Sequence, residues 1–213
     1  MNFSREAWPL VLPPLLFGVA ALVWGMRGSM AWLSLGGGFL ILLAFAILLF
    51  FRDPDRTPPS DTNLVVSPAD GVVVDAIILP TGEKFVAIFL SVFDVHVNRS
   101  PYAGKVTKIT NTPGTYLHAN SAEGIKGNAR IEVELASKFG QIRFTQLSGL
   151  VARKISCRVN EGDSLATGQR YGLIYFGSRM EVIMPANAEI QVKPGVRTSA
   201  GETVIAAFRG NDS

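Results

Sequence analysis

Three residues of the 213-residue chain could act together as nucleophile, base and orienting acid. They are Ser178 in "FGSRMEV", His96 in "FDVHVNRSP" and Asp70 in "SPADG". A serine hydroxyl attacks well only when a base takes its proton, and the base works best when a third group fixes it. Such a group is recognised by geometry, so wide spacing in sequence is no obstacle. Each residue also has a plainer reading. Asp70 before Gly71 is a turn former, His96 ends an apolar strand, and Ser178 after Gly177 suits a hairpin corner. The second histidine, His118, lies in the polar interval "YLHANSAEGIKGNA" and reads as a surface or loop residue.

Other chemistries find little footing. Two histidines 22 residues apart and one cysteine make no metal-ligand cluster, so no metal is expected. Neither a GxxxxGK[ST] loop nor a GxGxxG turn occurs. Cys157, in "KISCRV", has no cysteine to pair with and reads as a small apolar strand residue. The net charge of +3 is small and spread along the chain, which argues against a nucleic-acid partner.

The elements that must position these residues fall into two parts. Ala7–Met26 and Met30–Phe51 carry no charge, and each is long enough to cross a hydrocarbon core about 30 Å thick. Only Arg27-Gly28-Ser29 joins them, which forces an antiparallel helical hairpin. Pro9, Pro13 and Pro14 weaken the first span, so a hairpin that dips in without crossing is the alternative. Two apolar runs in succession favour a retained anchor over a cleaved leader. Arg5, Arg52 and Arg56 flank the pair while Arg27 alone sits in the loop, which places both ends on the cytoplasmic side of the cell (inner) membrane. Residues 1–57 are therefore expected to be a membrane-anchoring hairpin and linker, and residues 58–213 a β-rich domain. That domain shows short β-type runs at roughly ten-residue spacing with Gly, Pro, Asn and Asp between them. "VVSPADGVVVDA" and "VNEGDSLATGQRYGLIYF" look like the halves of a barrel-sandwich, lipoyl- or biotinyl-like fold. A carrier of that kind needs a lysine at the hairpin tip, and the comparable corner holds Ser178 and Arg179. Tyr116–Ala129 reads as a mobile loop.

Taken in order, "FFRDPDR", "SPADGVVV", "FDVHVNRSPYAG" and "FGSRMEVIMP" resemble the short form of the phosphatidylserine decarboxylases, and the match runs from the end of the anchor to near the C-terminus. The resemblance implies a proenzyme that cuts itself between Gly177 and Ser178. A β chain, 1–177, and an α chain, 178–213, would stay together as a heterodimer, with a higher oligomer open. Ser178 would become a pyruvoyl group that takes the substrate amine as a Schiff base. The activity implied is conversion of phosphatidylserine in the membrane to phosphatidylethanolamine and CO₂. His96, oriented by Asp70, is the expected base. Longer members carry a second histidine three residues after the first, where this chain has Arg99. One histidine then serves both self-cleavage and decarboxylation, or His118 enters from its loop. Arg99 and His118 are the expected substrate contacts. The competing class is a membrane-tethered barrel-sandwich adaptor without activity. Such adaptors usually insert a coiled-coil hairpin between the half-motifs, and no heptad stretch occurs here.

Overall fold

The computed structural model describes residues 2–150, 154–175 and 178–209. The chain divides into two compact units, Met1–Asp55 and Arg56–Ser213.

In the first unit β1 (Asn2–Phe3) pairs antiparallel with β2 (Arg52–Asp53), closing the open end of a helical hairpin. Its arms, α1 (Trp8–Arg27) and α2 (Ala31–Phe50), are long and apolar enough to cross a membrane. Pro13 and Pro14 lie inside α1, which nevertheless runs unbroken. Each proline removes a ladder bond without ending the helix. At the tip Gly28 N–H bonds back to Trp24 O and Met30 N–H to Gly25 O, with Ser29 at φ 53°.

Small residues let the two arms approach backbone to backbone. A Cβ added at Gly37 would stand 2.5 Å from Leu22 N, and one at Gly25 would stand 2.5 Å from Ser34 Oγ. A Cβ at Gly36 would meet nothing within 4 Å. In lipid, where apolar side chains gain little by meeting each other, such close packing drives association. Gly37→Val should therefore loosen the hairpin and Gly36→Val should not. The check is the temperature at which detergent-solubilised protein loses helical circular dichroism, lowered only in the first variant.

The second unit is mostly β, as the short runs predict, but its pairing order was not readable from them. It opens with β3 (Leu64–Val66), β4 (Gly71–Ile78) and β5 (Lys84–Leu90). Next come β6 (Val97–Arg99), β7 (Gly104–Thr112), β8 (Arg130–Ser137) and β9 (Gly140–Leu147). The later strands are β10 (Ile155–Cys157), β11 (Ser164–Leu165), β12 (Arg170–Ile174) and β13 (Ser178–Met184). β14 (Ala188–Ile190), β15 (Arg197–Thr198) and β16 (Val204–Phe208) complete the set. Eight of them form one curled sheet in the order β11-β7-β8-β9-β13-β5-β4-β15. Two three-stranded sheets, β10-β12-β6 and β14-β16-β3, accompany it.

β13 lies in the interior of the large sheet, paired with β5 on one side and β9 on the other. Its residues alternate, so Met180, Val182 and Met184 enter the core beside Val86, Ile88 and Leu90 of β5. Tyr171 of β12 is wholly buried and meets Phe144 of β9 edge to face, centroids 4.9 Å apart.

The 116–129 interval is more ordered than its polarity suggests. It holds α3 (Ala122–Gly127), capped by Ser121 Oγ, which accepts from Gly124 N–H at 3.0 Å. Asn128 fastens the stretch, accepting from Leu117 N–H and donating to the carbonyls of Leu117 and Ser148. Polar residues that satisfy backbone groups order a segment without a hydrophobic face.

Candidate functional site

Ser178 is the first residue of β13 and faces Leu90, the last residue of β5. It is fully buried, and its Oγ has no hydrogen-bond partner among the described residues. A buried hydroxyl left unpaired costs about 1–3 kcal/mol, so its retention needs a reason. Gly177, the other half of the expected cleavage bond, lies outside the described residues.

His96 reaches the same place by a short detour. The chain leaves β5 at Leu90, turns through Ser91–Asp94 and arrives at His96 just before β6. Asp94 ties that turn, its Oδ2 accepting from both the N–H and the hydroxyl of Ser91 at 2.8 Å. Arg197 braces the same carboxylate from β15 at 3.1 Å. On the other side, Ile174 at the end of β12 donates its N–H to His96 O at 3.3 Å. The connections 90–96 and 174–178 are thus joined at one end by the Leu90–Ser178 pair and at the other by Ile174–His96. The serine and the histidine are thus each tied to an end of the segment 90–96, and no hydrogen bond links Ser178 Oγ to the ring among the described residues.

The ring of His96 is fully buried, with Nδ1 2.8 Å from Asp94 O. A carbonyl only accepts, so Nδ1 carries the proton and, in the neutral ring, the lone pair sits on Nε2. The partner at Nδ1 is thus a main-chain carbonyl. Asp70 itself is held by Arg56, 2.9 Å from Oδ2, and by Ala200 N–H, 2.7 Å from Oδ1. The turn it belongs to touches β6, which begins one residue after His96, where Arg99 N–H donates to Pro68 O at 2.9 Å.

Arg99 is only 5% exposed, and its Nη1 donates to Gly168 O at 3.1 Å. His118 is exposed and stacks on Phe89, ring centroids 5.7 Å apart. Phe89 pairs with Arg179, whose side chain points to the sheet face opposite that of Ser178. Arg179, almost wholly buried, bonds Glu181 at 2.8 Å, Asp75 at 2.7 Å and Asn120 Oδ1 at 3.0 Å. It pins the residue after the serine to β4 and to the His118 loop. Among the described residues no group of three or more His, Cys, Asp or Glu could hold a metal ion. Burial pushes the Cys157 thiol up, which keeps it protonated and a poor nucleophile at neutral pH.

The family model described as phosphatidylserine decarboxylase matches residues 43–206. The chain is 42% identical over 177 residues to a phosphatidylserine decarboxylase proenzyme of Chlorobium limicola, covering 80% of this chain and 82% of that one. Identity to a proenzyme of the same name from Pelobacter propionicus is 44% over 173 residues, 78% of each chain. With one from Magnetococcus marinus it is 38% over 217 residues, 99% of this chain and 97% of that one.

This chain belongs to the phosphatidylserine decarboxylase family.

Several residues that position the site of this family member were not singled out by sequence reasoning. Asp94 is two residues before His96, inside a motif already in view, but its side chain acts on Ser91, and sequence alone did not mark it as a brace. Asn98 and Gln146, both fully buried, are linked across the core by a 2.8 Å bond from Gln146 Nε2 to Asn98 Oδ1. The available signal was a polar residue within each of the strand runs "VNR" and "FTQL".

The Asp70 turn carries a charge cluster with its own pH signature. Desolvation pushes the Glu202 carboxyl up, but Arg56 and Thr57 N–H bond it, and Arg56 and Arg99 add positive charge; the net shift is downward. A carboxylate lowered in the folded state contributes stability above its unfolded value, ordinarily 4.5, and loses it as pH falls through the folded value. Glu202→Gln should therefore shrink the difference between urea unfolding midpoints measured at about pH 7 and about pH 3. An unchanged difference would remove Glu202 from the acid response.

Proposed function

We propose that this protein cuts itself at Gly177-Ser178 and then decarboxylates phosphatidylserine to phosphatidylethanolamine and CO₂. The observation that carries the reading is the buried, unpartnered Ser178 Oγ at the start of an interior strand, tied by strand pairing to the connection bearing His96. The family and the proenzyme names of the three relatives agree with it.

His96 Nε2 takes the proton of Ser178 Oγ, and Oγ attacks the carbonyl carbon of residue 177. The Oγ–C bond forms, the C–N bond to residue 178 breaks, and the histidine's proton passes to the departing nitrogen. Loss of the Cα proton of residue 178 then expels Oγ with the 177 carboxylate. Water replaces the nitrogen, which leaves as ammonia, and residue 178 ends as a pyruvoyl group. An unpartnered oxygen in a buried site fits formation of that group. The pyruvoyl ketone supplies an electron sink for the headgroup's decarboxylation. His96 Nε2 moves the proton that replaces the lost carboxylate.

Asp70 supports the base at one remove, holding the turn whose Pro68 carbonyl anchors Arg99 beside it in β6. We assign Arg99, buried against Gly168 O, to holding that strand. The helical hairpin would hold the enzyme in the inner membrane with the catalytic unit on the cytoplasmic side, where its lipid substrate lies.

Intact mass spectrometry under denaturing conditions tests the reading. Two chains split at 177–178 are expected, the smaller lighter than its sequence by one ammonia. Ser178→Ala should stay whole and release no CO₂ from phosphatidylserine vesicles; full activity in that variant would end the proposal. His96→Ala should lose cutting, decarboxylation or both. Asp70→Asn should cut about tenfold more slowly, and normal cutting would return Asp70 to a turn former.

A further inference from the structure

The large apolar side chains that the second unit leaves exposed are unevenly placed. Among its described residues they are Ile77, Ile78, Val92, Phe93, Tyr116, Leu117 and Leu150. All but the two isoleucines of β4 lie in connections at one end of the large sheet. Leu90 ends β5 opposite Ser178, which opens β13. Leu147 ends β9, paired with Arg179 on one side and with Arg130, which opens β8, on the other. Thr112, the last residue of β7, also pairs with Arg130. The stretches that follow Leu90, Thr112 and Leu147 therefore leave the sheet at the same end. They are linked across that end. His118 stacks on Phe89, and Asn128 Nδ2 donates to the carbonyls of both Leu117 and Ser148. Ile78 stands at the far end of β4, paired with Lys84.

Single exposed apolar side chains are ordinary, but several gathered at one end mark a contact surface. Phe93 is 83% exposed in the turn after β5, and Leu150 is 60% exposed. Three observations point to lipid as the occupant. The unit begins at Arg56, six residues past the end of α2 at Phe50. A bilayer crossed by the hairpin is then within about 20 Å of chain from that residue. Charge is the second observation. Within the three stretches and the residues that close them, Lys126, Arg130 and Lys154 outnumber Asp94 and Glu123, and Arg197 of β15 neutralises Asp94. Such an excess suits anionic headgroups. The third is the backbone of Leu117, whose N–H donates to Asn128 Oδ1 and whose carbonyl accepts from Asn128 Nδ2, both at 2.7 Å. Backbone groups that leave water must find partners elsewhere, and these already have theirs.

We propose that this end of the sheet docks on the surface of an anionic bilayer, with Phe93, Leu117 and Leu150 entering the boundary between headgroups and acyl chains. Insertion is shallow. Irregular backbone is not tolerated in the hydrocarbon itself, so the side chains enter and the strand ends stay outside. The basic residues hold the rim to the headgroups. This contact is additional to the helical hairpin and does not depend on a cut at 177–178. Under the proposed function it would bring the end of the sheet that holds Ser178 to the layer in which the lipid substrate lies.

The test uses full-length chain reconstituted in vesicles of phosphatidylcholine and phosphatidylglycerol. Cys157, the sole cysteine, is replaced by alanine. An environment-sensitive fluorophore is then attached through Phe93→Cys, Leu150→Cys or, as the far-end control, Ile78→Cys. A nitroxide on the lipid acyl chains should quench the label at positions 93 and 150 and leave that at 78 bright, and aqueous iodide should do the reverse. Iodide quenching at 93 and 150 equal to that at 78 would overturn docking. So would labels at 93 and 150 shielded from both quenchers, because a second copy or another protein would then cover this end. Equal nitroxide quenching at all three positions would also overturn it, since the unit would lie on the membrane without a preferred end. A second readout separates docking from folding. The double variant Phe93→Ser/Leu150→Ser should release CO₂ from phosphatidylserine vesicles about tenfold more slowly. Its rate on dispersed short-chain phosphatidylserine should equal the parent's. An equal loss on both substrates would make the two residues part of the fold and overturn the docking surface. A parent that releases no CO₂ from either substrate would end the proposed function, and the quenching pattern would still decide docking.

Discussion

The register between β5 and β13 is the constraint on which the rest of the catalytic unit depends. It sets Ser178 against Leu90, sends Met180, Val182 and Met184 into the core and turns Arg179 outward. A slip of one residue would exchange the two sets, setting Arg179 among aliphatic side chains and moving the serine to the face of Asp75 and Glu181. The outward set is fastened by ion pairs to Glu181 and Asp75, and the inward set by close packing. Both faces of one strand therefore specify the same alignment. The serine's place follows from a sheet that has only one low-energy way to close.

The histidine inherits its position from the same alignment. It lies six residues past Leu90, and the intervening turn is fixed by a carboxylate that binds the turn's own first residue. That arrangement leaves the ring's orientation to a backbone carbonyl, which keeps the same acceptor character at any pH. A carboxylate at Nδ1 would favour the charged ring more than a carbonyl does. The charged residues nearby are spent on structure. Asp70, Arg56 and Glu202 tie the start of the catalytic unit to the turn before β4, and Asp94 and Arg197 tie the turn before the histidine.

Much of this was legible in the chain and some was not, for definite reasons. Two uncharged runs joined by three residues can hardly be anything but a helical hairpin. Alternating β-branched runs between turn residues gave a β-rich unit, and the "FGSR" and "FDVHVNRSP" stretches marked Ser178 and His96. The order of strands was hidden because alternation tells which way a residue faces and never which strand lies beside it. The Asn98–Gln146 bond crosses 48 residues and exists only because Gly172 leaves room under it. No local pattern encodes a contact between two sheets. The interval at 116–129 read as loose because its order comes from single side chains, Ser121 and Asn128, bonding to backbone.

The interior position of β13 gives the molecule a direction in time. Ser178 takes its place only after β13 has entered the sheet between β5 and β9, so under the proposed function an unfinished fold would have no means of cutting itself. The proposed cut would leave β13, β14, β15 and β16 on the short C-terminal piece, paired with β5, β9, β4 and β3 of the larger piece. The two pieces would stay interlaced although no peptide bond joined them. Unfolding would then separate what one chain had assembled, and return would require two molecules to find each other and thread a central strand between standing neighbours. Maturation by that cut would convert a self-folding chain into an object that can be built only once.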